Sequence, residues 1–177
     1  ERIADPPTFY MMTREVTNGW FAEFANHQDP EFNLKSAWQL GALAGTNPLG
    51  VDEKYSDYPV VQVTADEANR FAQWLGGLLP STSQWDKAAG ALEREDRVGP
   101  YLGEGEHVCV AKLESGPCPG GKSSDDESPF GILDMAGNVS ELTRNLLGST
   151  LTVPLAQPLK NDRVIFRGNN YHSAVPW

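Results

Sequence analysis

The sequence predicts a loop-rich α+β domain with a few short helices and small β-sheets. Its 177 residues include 17 Gly and 13 Pro, which are spread along the chain and exceed the share of roughly 12% found in average proteins. Three short segments carry the apolar spacing of amphipathic helices, and short β-rich stretches bounded by turn residues separate them. The length is that of one domain, over residues 1–177.

The first helix is predicted over residues 18–27. Phe21, Phe24 and Ala25 follow the i, i+3, i+4 spacing of one helix face. Thr17 precedes them and has a side chain that can cap the first turn.

Two further helices begin with capping boxes, in which the N-cap side chain and the third helical residue bond each other's backbone. The first box is Thr64 with Glu67, and Gly76 supplies a stop signal. The second is Ser81 with Gln84. The apolar stripes are Ala68, Phe71, Ala72 and Leu75 in the second helix, and Trp85, Ala88, Ala89 and Leu92 in the third.

Strands are predicted at residues 9–12, 59–63 and 164–167, with a further one at 108–110. Residues 94–135 otherwise show no regular pattern. Such a long irregular stretch within a compact domain indicates a functional or ion-stabilised loop.

The formal net charge is −10, and no block of Lys or Arg occurs. The sequence therefore predicts neither nucleic acid nor a membrane surface as a partner, since both require basic patches. No apolar run reaches the roughly 18 residues of a membrane span. The two cysteines, Cys109 and Cys118, fit either a short disulfide-closed loop or two free thiols.

Four ordered strings carry a family resemblance: EVTN from Glu15, YPVV from Tyr58, LPSTSQW from Leu79, and SPFG from Ser128 leading into DMAGNV. Over roughly residues 9–171, their order and spacing resemble the formylglycine-generating enzyme (sulfatase-modifying factor) family. The resemblance implies a variant of the C-type lectin fold with small antiparallel sheets and little regular secondary structure.

The same resemblance bears on catalysis. Members that oxidise a substrate cysteine resemble one another in an R-G-G-S stretch, an aromatic residue and a pair of cysteines that bind copper(I), a metal that prefers soft thiolates. From Arg167 this chain reads RGNNYHSAVPW, without a cysteine. We therefore expect no copper and no catalytic residues. The chain also ends at Trp177, before the arginine-bearing segment that closes the family's fold, so we expect a domain without that segment.

The 134–141 loop has the composition of a calcium site, with acidic residues flanking a glycine-containing turn. The resemblance implies that the side chains of Asp134 and Glu141 and the carbonyls of Gly137 and Val139 bind calcium. The alternative is that Asp134 caps a turn and Glu141 is a solvated charge. We interpret the acidic run at 125–127 as a solvated turn.

The segment after Arg167 is rich in side chains that recur in recognition surfaces. The resemblance places this segment in the family's substrate groove. The alternatives are a disordered polar tail or the mutable surface of a variable protein of a diversity-generating retroelement, a class that also uses this lectin-like fold. The candidate ligand-binding residues are Arg167, Asn169, Asn170, Tyr171, His172 and Trp177.

The leading hypothesis is a non-catalytic, calcium-stabilised module that binds a protein or peptide partner. In bacteria such domains resemble modules attached to kinases or proteases, so we expect a larger signalling or effector protein. One alternative is a copper-dependent oxidoreductase whose catalytic cysteines lie outside this chain. Another is a calcium-locked spacer without a partner.

Overall fold

In the residues that the structure describes, the fold combines three short helices with two small antiparallel sheets, as expected from the sequence. The computed structural model describes residues 5–28, 50–91, 107–123, 125–154 and 162–176, and the backbone of 42–43. The helices are α1 (Asn18–Asn26), α2 (Ala65–Trp74) and α3 (Thr82–Ala88), and a 3₁₀ turn covers Glu53–Tyr55. The strands are β1 (Ala42–Leu43), β2 (Gly50–Val51), β3 (Glu141–Leu146) and β4 (Val164–Arg167).

The three predicted helices are confirmed, and each has the expected N-cap. The Thr17 side chain accepts from the Trp20 N–H, and both reciprocal capping boxes, of Thr64 and of Ser81, are present. α3 ends at Ala88, and Leu92 of its predicted stripe lies outside the described residues.

An aromatic cluster joins α1 to α2. Phe21, Phe24 and Phe71 are almost fully buried. Their ring centroids lie 5.4–6.0 Å apart, within the range of favourable aromatic pairing. Phe71 of the α2 stripe thus packs against α1 and builds the first part of the core, whereas Leu75 of the same stripe remains exposed.

Strand β4 confirms the prediction at 164–167, but its partner β3 was not predicted. The two strands pair antiparallel, with Glu141 opposite Arg167. The inward positions of β3 include Thr143, which is fully buried and donates its hydroxyl to the Ile165 carbonyl at 2.8 Å. Burial in β3 does not alternate residue by residue, so the period-2 signal of a strand is missing from its sequence.

The strand predicted at 59–63 is wrong. Pro59 has no N–H to give a ladder and forms only an isolated bridge with Thr17. Gln62 has a φ of 60°, which interrupts an extended backbone. The segment instead lies beside the start of α1.

The strands predicted at 108–110 and 9–12 are also wrong. The N–H of Val110 donates to the carbonyl of Val108 at 2.9 Å, which closes a tight turn. Residues 9–12 have no ladder partner within the described part of the chain.

A second core cluster connects α3 to the loop region. Trp85, Ala88 and Ala89 pack against Met135, and all four are nearly inaccessible. Residues 107–123 and 125–135 otherwise contain no helix or strand, as the sequence predicts. None of the helices described has the length and apolar character that a membrane crossing requires.

Candidate metal centre and recognition segment

The 134–141 loop is a buried turn that begins and ends on carboxylates. Asp134 and Asn138 both adopt left-handed backbone conformations, with φ of 62° and 60°. Asp and Asn tolerate this region better than other non-glycine residues. Between them, Met135 and Ala136 are buried.

Asp134 is fully buried at the start of this loop. Its Oδ2 accepts the Gly121 N–H, and its carboxylate also bonds the Ser123 side chain. Its other oxygen, Oδ1, has no hydrogen-bond partner among the described residues. Burial raises the pKa of Asp134, against these bonds and the positive charge of Arg14.

Glu141 ends the loop at the first residue of β3, and its Oε2 is buried without a partner among the described residues. Burial and the neighbouring charge of Glu15 raise the pKa of Glu141 well above its usual range. A Cβ added at Gly168 would lie 2.7 Å from this Oε2 and 2.9 Å from the Met135 carbonyl oxygen. A carboxylate and a carbonyl oxygen therefore face the same small space.

Two more buried carboxylates, those of Asp126 and Glu15, accept hydrogen bonds from the 134–141 loop. Asp126 is fully buried, and its oxygens accept the Ala136 N–H at 2.8 and 3.1 Å. Burial raises the pKa of Asp126 to about 6, although these bonds oppose the shift. For Asp126 the prediction of a solvated acidic turn is therefore wrong. Glu127 in the same run is exposed.

The carboxylate of Glu15 reaches the same loop from the segment before α1. Its Oε1 accepts the Val139 N–H at 3.1 Å, and its Oε2 accepts from the Asn138 side chain at 2.7 Å. Burial raises the pKa of Glu15 well above its usual range, and the charge of Asp134 adds to the effect.

The buried carboxylate oxygens of Asp134 and Glu141 that have no partner among the described residues, and the Met135 carbonyl oxygen, are hard ligands of the kind that calcium prefers. Leaving a carboxylate oxygen buried without a partner costs free energy that a bound cation would offset. In the described residues no three acidic, His or Cys side chains converge as a metal-binding group. A cation here would depend on Glu141, Asp134 and backbone carbonyls, as the predicted ligand set does.

Asn138 connects this loop to the 109–118 loop. Cys109 and Cys118 form a disulfide, which resolves the two alternatives left open by the sequence. The Asn138 N–H donates to the Cys109 carbonyl, and the Cys118 N–H donates to Asn138 Oδ1, both at 2.8 Å. Because both sulfurs are in the disulfide, neither cysteine presents a thiolate.

Arg167, a predicted ligand-binding residue, forms an ion pair within the fold. Its Nε and Nη2 donate to the two carboxylate oxygens of Asp86 in α3, at 2.7 and 3.3 Å. This fork-like pair attaches β4 to α3.

The segment after Arg167 is ordered by hydrogen bonds within it and to the 134–141 loop. Asn169 donates to the Val175 carbonyl, and Asn170 donates to Ser140 Oγ. The Tyr171 N–H donates to the Asn138 carbonyl at 2.8 Å, and the Tyr171 ring stacks edge-on with His172. The alternative of a disordered tail is therefore wrong for these residues, while Trp177 lies outside the described residues.

A mostly apolar groove of about 1200 Å³ passes beside this segment. Asn170, Tyr171 and His172 line it, whereas Arg167 and Asn169 do not. Large apolar side chains on its walls remain exposed to solvent. They are Tyr10, Met12, Leu75, Leu78 and Phe166.

Comparison with known proteins gives the family. A sequence model of the family described as the sulfatase-modifying factor enzyme 1-like domain matches residues 2–176. The chain belongs to this family. Its fold fits the match, with few helices and small antiparallel sheets.

Relatives of this sulfatase-modifying factor enzyme 1-like domain have different names. It is 32% identical to the serine/threonine-protein kinase Pkn1 of Chlamydia trachomatis, over 76% of this chain and 22% of the kinase. It is 29% identical to hercynine oxygenase of Mycolicibacterium smegmatis, over 82% of this chain and 39% of the relative. It is 31% identical to formylglycine-generating enzyme of Mycobacterium tuberculosis, over 60% of this chain and 40% of the relative. The chain thus spans well under half the length of these relatives.

Sequence reasoning missed three contributors to the acidic site. Glu15 occurs in the first recognisable string, but its charged side chain gave no sign of burial. The acidic run at 125–127 predicts a solvated turn, so the sequence does not indicate that Asp126 is buried. The Met135 carbonyl is a backbone group, so no side-chain pattern could have indicated it.

Proposed function

We propose that this domain is a non-catalytic, calcium-stabilised module that binds a protein or peptide partner. The calcium part rests on the buried Oε2 of Glu141, which has no partner among the described residues and lies with the Met135 carbonyl oxygen beside Gly168. The proposed ligands are the side chains of Asp134 and Glu141 and the carbonyls of Gly137, Val139 and Met135. A bound calcium ion would supply positive charge to a buried acidic loop, and the protein residues would hold it in place.

The lack of catalysis is supported by the chemistry of the available sulfur atoms. No cysteine follows Arg167, and Cys109 and Cys118 are joined to each other. Copper(I) binding needs thiolates. The competing proposal, a copper-dependent oxidoreductase, predicts conversion of a cysteine-containing peptide in the presence of copper and oxygen. We expect no conversion, and a measured turnover would overturn the non-catalytic assignment.

Partner recognition is supported by the groove beside Asn170, Tyr171 and His172. Its exposed apolar walls offer area for burial on binding. The match to the Pkn1 kinase covers 22% of that kinase's length. We therefore propose that the domain occurs within or alongside a kinase module. A protease module is the alternative association.

Calcium binding is tested by thermal unfolding of the purified chain with calcium or with a chelator. An ion that binds only the folded state adds about 2.7 kcal/mol at roughly a hundredfold excess over Kd. Glu141→Gln and Asp134→Asn should each remove most of this increment. Glu127→Gln is the matched control, because Glu127 is an exposed carboxylate close by in sequence. A parent protein that is indifferent to calcium would exclude the site.

Partner binding is tested with a displayed peptide library selected against the calcium-loaded chain. We expect selected peptides to lose binding to Tyr171→Ala and to retain it with Trp20→Ala. Trp20 is a control because it is half-exposed and lies outside the groove. The spacer alternative predicts that no selected peptide depends on Tyr171.

A further inference from the structure

Glu15 differs from the proposed calcium ligands because both of its carboxylate oxygens accept hydrogen bonds. Glu15 is 9% exposed and lies before α1. Its two oxygens each accept a hydrogen bond from the 134–141 loop, one from the Val139 N–H and one from the Asn138 side chain. In contrast, Glu141 Oε2 has no partner among the described residues.

Asn138 fixes the backbone of the loop through every polar group that it has. Its N–H and Oδ1 bond the two halves of the disulfide, at Cys109 and Cys118. Its carbonyl accepts the Tyr171 N–H, and its side-chain amide donates to Glu15. Because its φ is left-handed, these bonds hold a conformation that an L-residue does not favour by itself.

The chemistry of this contact selects a carboxylate. Both groups that face Glu15 are N–H donors, so the side chain at position 15 must accept twice. A carboxylate accepts through both oxygens, whereas an amide offers one acceptor and one donor. A glutamine here would place its NH₂ group against either the Asn138 NH₂ or the Val139 N–H.

We propose that Glu15 is a positioning residue for the calcium loop. It fixes the Asn138 side chain and the peptide between Asn138 and Val139. That peptide lies between the proposed ligand carbonyls of Gly137 and Val139, so fixing it restrains the orientation of both. This inference rests on the proposed calcium site. Residues that orient metal ligands typically change metal affinity by 10- to 100-fold when replaced.

The test is calorimetric titration of calcium into chelator-stripped protein, with folding checked by near-UV circular dichroism. Glu15→Gln should raise the calcium Kd by about 10- to 100-fold. The matched control is Glu67→Gln. Glu67 is also a buried glutamate, and its Oε2 accepts from both the N–H and the hydroxyl of Thr64, at 2.8 and 2.7 Å. Glu67→Gln should lower the melting temperature and leave the calcium Kd unchanged.

A double variant separates positioning from a general loss of stability. In Glu15→Gln with Asn138→Asp, the new amide can donate to the new carboxylate, which still accepts the Cys118 N–H. The net charge stays the same. The double variant should return the calcium Kd to within about threefold of the parent's, while Asn138→Asp alone should not.

The outcomes are distinguishable from failure of the proposed function. If the parent chain binds no calcium, the calcium site itself is wrong. If the parent binds and Glu15→Gln binds equally well, the site stands and the positioning role is overturned. Should Glu15→Gln not fold, a folded double variant decides: parent-like affinity supports the role, and affinity lowered by tenfold or more overturns it.

Discussion

The helical region and the loop region of this domain are held together by different kinds of contact. In the helical region, α1 and α2 meet through Phe21, Phe24 and Phe71, whose burial removes apolar surface from water. In the loop region, a disulfide closes the 109–118 loop, and hydrogen bonds of the buried Asn138 join that loop to the 134–141 loop. The stability of the helical region needs only matching apolar faces. The stability of the loop region requires a hydrogen-bond partner for each buried polar atom.

This difference leads to a general expectation. Variants in the aromatic cluster of the helical region should lower stability by the same amount with calcium and with chelator, because this cluster contains none of the proposed calcium ligands. Variants in the loop region should also change the calcium increment.

The largest effect is expected from Phe24→Ala. Phe24 is fully buried between Phe21 and Phe71, so its removal should cost about 3–5 kcal/mol of unfolding free energy. Urea unfolding measures this cost, and the calcium increment should stay that of the parent. Phe24→Leu, which keeps most of the volume, should cost less than about 1.5 kcal/mol. A calcium increment that changes with Phe24→Ala would contradict the separation of the two regions.

The next effect concerns the disulfide. Replacing Cys109 and Cys118 by Ala should cost about 2–4 kcal/mol, because the bond restricts the unfolded chain. It should also reduce the calcium increment, because both cysteines bond Asn138 through their backbones. Melting curves with calcium and with chelator measure both effects. Leu113→Ala is the control, since Leu113 is exposed in the same loop, and should stay within about 0.5 kcal/mol.

A smaller effect is expected at the start of α2. Thr64→Ala removes the cap that accepts the Glu67 N–H, at a cost of about 1 kcal/mol. Thr64→Ser retains the hydroxyl and should recover most of the loss. Both should melt with the parent's calcium increment, and a shared loss of that increment would show that α2 and the loop region are coupled.

The smallest changes in stability are expected when the arginines of two ion pairs are replaced by lysine. Arg167→Lys loses the fork that bonds both oxygens of Asp86, with side chains 30% and 17% exposed, and should cost about 0.5–1 kcal/mol. Arg70→Lys alters a more exposed pair with Asp66, at 49% and 63%, and should change stability by less than about 0.5 kcal/mol. Equal losses of unfolding free energy for the two variants, measured by chemical unfolding, would mean that the more buried ion pair does not contribute more to stability.

The same contrast explains what could be predicted from the sequence. The helices followed from local signals, since Thr64 with Glu67 and Ser81 with Gln84 are capping boxes visible in the chain. Strand β4 followed from its β-rich composition. Its partner β3 has a buried Thr143 and no alternation, so local periodicity could not reveal it.

The candidate site was only partly predictable for a related reason. The 134–141 loop was found through family resemblance and its own composition. The roles of Glu15 and Asp126 depend on contacts with residues distant in the chain, and a charged side chain gives no local sign that it is buried. The retained Arg167 gave no sign that its partner would be Asp86, which lies in another helix.

The bonds of Asn138 also determine how early during synthesis the acidic loop at 134–141 can complete its hydrogen bonds. Its side chain meets Glu15, which is 123 positions earlier, and its carbonyl meets Tyr171, which is made later. Contacts between residues far apart in sequence form late, because a long stretch of chain must first be ordered. During synthesis the acidic loop therefore receives its full set of bonds only after Tyr171 has left the ribosome, and an interrupted chain would carry its acidic loop incompletely held.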